Sequence, residues 1–105
     1  MRNLPPQMVQ QLISSDSNVV LLDVREKWEF ETCNIESSIN IPMGAFPAAA
    51  KDFDDQAQTI VICHHGARSM QVANYLENAG FINVINLDGG IDAWAMTIDL
   101  DMEQY

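Results

Sequence analysis

Thr59-Ile60-Val61-Ile62 is a run of β-branched and aliphatic residues that ends on Cys63, and His64-His65-Gly66-Ala67-Arg68 then separates that thiol from Ser69. The run reads as a strand, and a helical pattern takes over by Ser69. A cysteine between the carboxyl end of a buried strand and the amino end of a helix is placed for nucleophilic or sulfur chemistry. Gly66 permits a positive φ or a close approach of backbone to ligand. The amides of so tight a loop can point inward and join the unpaired amides of the helix amino end. Together with the positive charge of Arg68 they would favour a thiolate, a persulfide or a bound oxyanion. A cysteine taken alone reads equally well as a small core residue. The polar run His64 to Ser69 beside it is what argues for chemistry.

Two other chemistries compete for the same loop. A metal site through Cys63, His64 and His65 is disfavoured, because three adjacent residues seldom converge on one ion and no ligand-spacing pattern is present. Neither a metal nor another cofactor is therefore expected. Phosphate-ester chemistry is the more serious rival, since cysteine phosphatases use a similar cup.

The rest of the chain supplies the elements that must hold this loop. Leu4 to Ile13 reads as a short helix, with Pro5 and Pro6 in its opening turn and Met8, Val9, Leu12 and Ile13 at helical spacing. Ser14-Ser15-Asp16-Ser17-Asn18 is a turn cluster. Val19 to Leu22 is an unbroken apolar run suited to a parallel strand covered on both faces, and it closes on Asp23-Val24-Arg25-Glu26. Lys27 to Thr32 reads as a brief helix carrying Trp28 and Phe30. Ser38 to Pro42 reads as a short strand, and Gly44 to Phe53 as a weak helix interrupted at Pro47. Ala67 to Ala79 is the best helix, with Val72, Ala73, Leu76 and Ala79 as its buried stripe and Gly80 as its stop. Asn83 to Leu87 is the last strand, Asp88-Gly89-Gly90 a turn, and Ile91 to Met96 a helix bearing Trp94. Strands alternating with helices predict one α/β domain over residues 1–105 with a mostly parallel sheet and helices on both faces. The acidic tail 97–105, without a clear period, is expected at the periphery, fraying or folding back through Leu100 and Tyr105.

The chain has 105 residues and a formal net charge of −10, from 15 acidic against 5 basic side chains. That balance disfavours nucleic acid and anionic membrane surfaces, which call for basic patches. No apolar run is long enough to span a membrane, and the start shows no secretory signal. Two cysteines thirty positions apart make no disulfide framework, so a reducing compartment, the cytoplasm, is expected.

Cys63-His64-His65-Gly66-Ala67-Arg68-Ser69 resembles the active-site loop of the rhodanese (thiosulfate sulfurtransferase) family. Leu22-Asp23-Val24-Arg25-Glu26 with Trp28-Glu29-Phe30, Ile39-Asn40-Ile41-Pro42 and Leu87-Asp88-Gly89-Gly90-Ile91-Asp92-Ala93-Trp94 agree with its single-domain members in the expected order. The resemblance implies a rhodanese-like domain built on a five-stranded sheet. It implies ping-pong sulfur transfer, with Cys63 taking sulfur from thiosulfate or a persulfide and passing it to a thiol or cyanide. The loop residues His64, His65, Gly66, Ala67, Arg68 and Ser69 would hold the donor and stabilise the persulfide. Arg68 would grip the anionic donor or brace the loop, and the two histidines would rim the cup. Spacing separates this from the phosphatases of the related fold, whose arginine stands one position further from the cysteine, where this chain has Ser69. Partners are then a small sulfur donor, a thiol acceptor and a sulfur-accepting protein. The other function class is a non-catalytic rhodanese-homology module that binds a protein and regulates it.

Asp23 and Arg25 are expected to brace loops rather than touch sulfur, and Trp28 and Trp94 to be core or pocket wall. The chain departs from the family where a His-Ile-Pro-Gly-type turn is common. Asn34-Ile35-Glu36-Ser37 stands there instead, beside Cys33, which reads as an inert packed thiol rather than a resolving one.

Overall fold

The computed structural model describes residues 1–16 and 18–105. Strands β1 (Arg2–Leu4), β2 (Val19–Asp23), β3 (Ile39–Asn40), β4 (Gln58–Ile62) and β5 (Val84–Leu87) form one sheet. All pairings are parallel and the spatial order is β1-β5-β4-β2-β3. Helices α1 (Pro6–Ser15), α2 (Lys27–Thr32) and α3 (Ala67–Asn78) lie in the connections, and α4 (Gly90–Thr97) follows β5. The α/β architecture expected from the sequence is the one that forms.

The continuous apolar runs are explained by a sheet buried on both faces. Leu21, Ile60, Ile62, Ile85 and Leu87 pack into one layer with Val9 of α1 and with Ile91 and Trp94 of α4. Leu22, Val61, Val84 and Cys63 pack into the other with Val72, Ala73 and Leu76 of α3. Register keeps each face aligned, since Leu21 pairs with Ile60 and Leu22 with Val61. A slip of one residue would exchange the two faces. Ile60, Val61 and Ile62 are wholly buried, and each such side chain contributes about 1.5–3 kcal/mol. Strand β4 is thus a rigid platform for the loop it carries.

Strand β2 leads to β3 on one side, while β4 lies on its other side and is followed by β5. The chain therefore diverges at the carboxyl ends of β2 and β4, the position where open parallel sheets take their ligands. Asp23-Val24-Arg25 and Cys63 both stand at this point. The Val24 amide donates to the Ile62 carbonyl at 2.9 Å and ties the two ends together.

Local differences from the sequence pattern have local causes. Arg2–Leu4 is short and mostly exposed, so no apolar run marked it as a strand; it forms by pairing along β5. Leu4 consequently lies outside the first helix, which Pro6 opens. The segment around Pro47 makes two 3-10 turns, Met43–Ala45 and Ala48–Asp52, instead of a helix, because proline lacks the N–H a helix interior needs. Ser17 of the expected turn cluster lies outside the described residues.

The Asn34–Ser37 turn keeps its shape at a cost. Ser37 has φ 70°, in the region where a Cβ is penalised by about 1–2 kcal/mol and glycine is not. The Asn34 side-chain amide holds the turn by donating to the Phe30 carbonyl at 2.9 Å. Ser37→Gly is expected to stabilise the protein by about 0.5–1 kcal/mol, the relieved penalty less the extra freedom of an unfolded glycine. A rise of a few degrees in thermal midpoint would show it; a fall would refute it.

Candidate active site

The cup at Cys63 is built by one turn of backbone. Gly66 is the N-cap of α3 with φ 110°, a conformation open to glycine and strained for other residues. This turn brings the Gly66 amide to 3.0 Å and the Ser69 hydroxyl to 3.2 Å from Cys63 Sγ. Cys63 is 1% exposed. The Gly66 amide and the Ser69 hydroxyl are thus within hydrogen-bond reach of one buried sulfur.

The loop is clamped from behind by α4. The first-turn amides of that helix need acceptors, and the loop carbonyls supply them: Ile91 N donates to Cys63 O at 2.8 Å and Asp92 N to His64 O at 3.0 Å. Such closeness leaves no room for a side chain at Gly90, whose φ is 61° and where a Cβ would fall 2.4 Å from Cys63 O and 2.5 Å from His64 O. Gly90→Ala is expected to destabilise by about 2–3 kcal/mol, from the left-handed penalty and the displaced loop together. Urea unfolding measures it, and a midpoint equal to wild type would refute it.

Arg68 is engaged by α2. Its guanidinium forms a fork on Glu29, with Nη1 to Oε1 at 2.6 Å and Nη2 to Oε2 at 2.8 Å. Glu29, buried on α2, also closes that helix's capping box by accepting from its Glu26 N-cap amide at 3.0 Å. It accepts a further bond from the Tyr105 hydroxyl at 2.7 Å. The Arg68 bonds, joined by those of Tyr105 and the Glu26 amide, outweigh burial and hold the Glu29 carboxyl down at about 2. The same bonds keep Arg68 above the usual arginine range. The arginine that the sequence placed in the loop thus braces the loop against α2.

Arg25 is fully buried beneath this pair. It forks onto Asp23, Nε to Oδ1 at 3.0 Å and Nη2 to Oδ2 at 2.7 Å. It also donates to the carbonyls of Glu29 at 3.2 Å and Cys33 at 2.6 Å and to the Tyr105 hydroxyl at 2.9 Å. Burial opposes its charge, but the bonds to Asp23 and Tyr105 more than compensate and raise its pKa. Asp23 and Arg25 are therefore braces and do not reach the sulfur cup.

Tyr105 was not marked by the sequence as part of the site. Besides its bonds to Arg25 and Glu29, its ring stacks on His64 at 4.0 Å and meets Trp28 edge-on at 5.6 Å. Burial is the main cause that pushes its phenol up to about 12. Trp28 is 61% exposed at the rim, whereas Trp94, at 6%, is core. His64 is half-buried and also stacks on His65 at 4.0 Å. Burial, then the neighbouring His65, lowers its pKa. His65 and Ala67 are exposed. His64, His65 and Asp92 bring potential ligand atoms within 4.8 Å of one another. The two imidazole planes lie 25° from parallel.

The hydroxyl of Ser69 also lies 3.1 Å from Gly66 O and in hydrogen-bond contact with Asn86 Oδ1. Asn86, 1% exposed on β5, donates through Nδ2 to Asn3 Oδ1 at 2.9 Å and to Gly66 O at 3.4 Å. Its one sequence signal was a polar residue interrupting a buried strand. Cys33 packs in the α1/α4 layer and Cys63 in the α3 layer, so the sheet separates the two free thiols.

Comparison with known proteins places this geometry among relatives. A family model described as Rhodanese-like domain matches residues 5–97. The chain is 31% identical over 96 residues to the thiosulfate sulfurtransferase GlpE of Pseudomonas syringae, covering 91% of this chain and 89% of that one. It is 37% identical over 89 residues to the chloroplastic rhodanese-like/PpiC domain-containing protein 12 of Arabidopsis thaliana, covering 81% of this chain and 30% of the other. A Bacillus subtilis relative, 34% identical, is likewise matched over only 46% of its length. The chain thus spans less than half of these last two proteins. Among solved structures, SSP1007 from Staphylococcus saprophyticus superposes with a TM-score of 0.82 at 31% identity, covering 99% of this chain and 100% of that one.

Proposed function

The chain belongs to the rhodanese-like domain family, and on that premise we propose that it is a sulfurtransferase carrying sulfur as a persulfide on Cys63. The observation that carries this reading is the pair of donors, Gly66 N and Ser69 Oγ, at 3.0 and 3.2 Å from one buried sulfur. The Cys63 thiolate attacks the outer sulfur of thiosulfate; a sulfur–sulfur bond forms, and sulfite leaves with the electron pair of the bond that breaks. An acceptor thiolate then attacks the outer sulfur of the persulfide and departs as a new persulfide, regenerating the Cys63 thiolate. With cyanide as acceptor the product is thiocyanate. Gly66 and Ser69 stabilise the negative sulfur at each stage, and His64 and His65 line the rim. Arg68 acts by bracing the loop. Its commitment to Glu29 also favours sulfur over phosphate chemistry, in which an arginine must face the bound phosphoryl group.

Residues 1–105 are read as one domain. Among the described residues no helix is long and apolar enough to cross a membrane, and two free cysteines support a reducing compartment such as the cytoplasm. A net charge of −10 repels a dianion at long range. A protein or low-molecular-weight persulfide is thus favoured as donor, with thiosulfate binding weakly and more tightly as salt is raised. Titration at two salt concentrations tests this, and tight, salt-insensitive binding refutes it.

The deciding experiment is mass spectrometry of the protein after thiosulfate treatment. One added sulfur, removed by cyanide, is expected. No uptake from thiosulfate or from a persulfide donor would leave the binding-module reading ahead.

A further inference from the structure

The Ser69 hydroxyl has one proton and three acceptors around it: Cys63 Sγ at 3.2 Å, Gly66 O at 3.1 Å and Asn86 Oδ1. Ser69 is fully buried and Asn86 is 1% exposed. The carbonyl of Gly66 can only accept, so the NH2 end of the Asn86 amide must face it, as it also faces Asn3 Oδ1. That orientation leaves Asn86 Oδ1 pointed at Ser69.

Two arrangements of the single proton follow. When it lies toward Asn86, the Ser69 oxygen presents lone pairs to the sulfur, which suits a protonated thiol donating to it. When it swings to the sulfur, it stabilises a thiolate or a persulfide, but Asn86 Oδ1 is left buried against another oxygen without a donor. We propose that Asn86 is a positioning residue that competes with the Cys63 sulfur for the Ser69 proton. It thereby limits how strongly the charged sulfur is held. A sulfur carrier benefits from such a limit, because a persulfide held too tightly is not passed on. The assignment rests on Cys63 being the reactive thiol proposed above, but its test does not require sulfur transfer.

The test is the pH dependence of Cys63 alkylation by iodoacetamide, followed on the Cys63 peptide by mass spectrometry. Asn86→Val removes the competing carbonyl and is expected to move the rate profile to lower pH. Alkylation on the acidic limb should rise about tenfold, the effect of about one hydrogen bond to a charged group. Ser69→Ala should move the profile the other way. The double variant should match Ser69→Ala, since without the hydroxyl there is no proton to compete for. Should the valine variant fail to fold, Asn86→Ala is expected to shift the profile in the same direction. An asparagine with a structural role alone would lower stability and leave the profile in place, and that result overturns the proposal. A full Asn86→Val shift persisting in the Ser69→Ala background overturns it as well. A shifted profile in a protein that takes up no sulfur supports this assignment while refuting the transfer reading.

Discussion

Cys63→Ser is expected to retain the fold and to lose sulfur uptake by on the order of a thousandfold or more. The serine oxygen inherits both partners of the sulfur, the Gly66 amide and the Ser69 hydroxyl. The buried polar atom is thus satisfied, and the stability change should stay within about 1–2 kcal/mol. What disappears is the nucleophile. An alkoxide is inaccessible near neutral pH, and oxygen cannot hold the outer sulfur as a persulfide. Mass spectrometry after thiosulfate treatment, beside a thermal melt of the same sample, reads both halves. Uptake of one sulfur by a folded Cys63→Ser protein would move the carrier elsewhere, and Cys33 is the sole other thiol.

Glu29→Gln should produce the largest loss of stability, about 3 kcal/mol at neutral pH. The carboxylate receives both arms of the Arg68 fork, the Tyr105 hydroxyl and the Glu26 amide. A neutral amide cannot replace that acceptor set, and it leaves Arg68 without its counter-charge. The pH dependence identifies the cause. The folded pKa of about 2 lies below the usual 4.5. Its stabilisation is therefore complete above about pH 4.5 and is lost as pH falls through about 2, a contribution of about 3 kcal/mol. Wild type and variant should differ most near neutral pH and converge in acid. Urea unfolding at neutral pH and near pH 2 tests this; an equal gap at both would mean that the carboxylate charge is not what matters. Since Arg68 belongs to the cysteine loop, the variant should also take up sulfur more slowly.

The cysteine loop was legible in the sequence because it is local. Thr59 to Ser69 contains the strand, the left-handed glycine turn, the thiol and the helix start, and backbone geometry alone links them within a few residues. The two-faced sheet was legible for a related reason, since burial on both sides leaves uninterrupted apolar runs at β2 and β4. Strand β1 left no such trace, because three mostly exposed residues become a strand only by pairing with β5. Of the two tryptophans expected as core or pocket wall, Trp94 is core and Trp28 stands at the rim beside Tyr105; residue type alone does not divide them, because the packing of α2 and α4 decides it.

The supports of the site belong to tertiary structure. Glu29 reaches Arg68 across 39 positions of chain and Tyr105 reaches Glu29 across 76. No periodicity or spacing rule connects residues so far apart. Asn86 meets Ser69 only because β4 and β5 are neighbours in register. The sequence by itself determined a thiol beside a glycine turn at the end of a buried strand. The packing of α2, α4, β5 and the 98–105 segment around that strand decided which groups brace the loop and which share its proton. Hydrogen bonds within a turn are written in adjacent residues, whereas those between elements exist only after the sheet has set their distance.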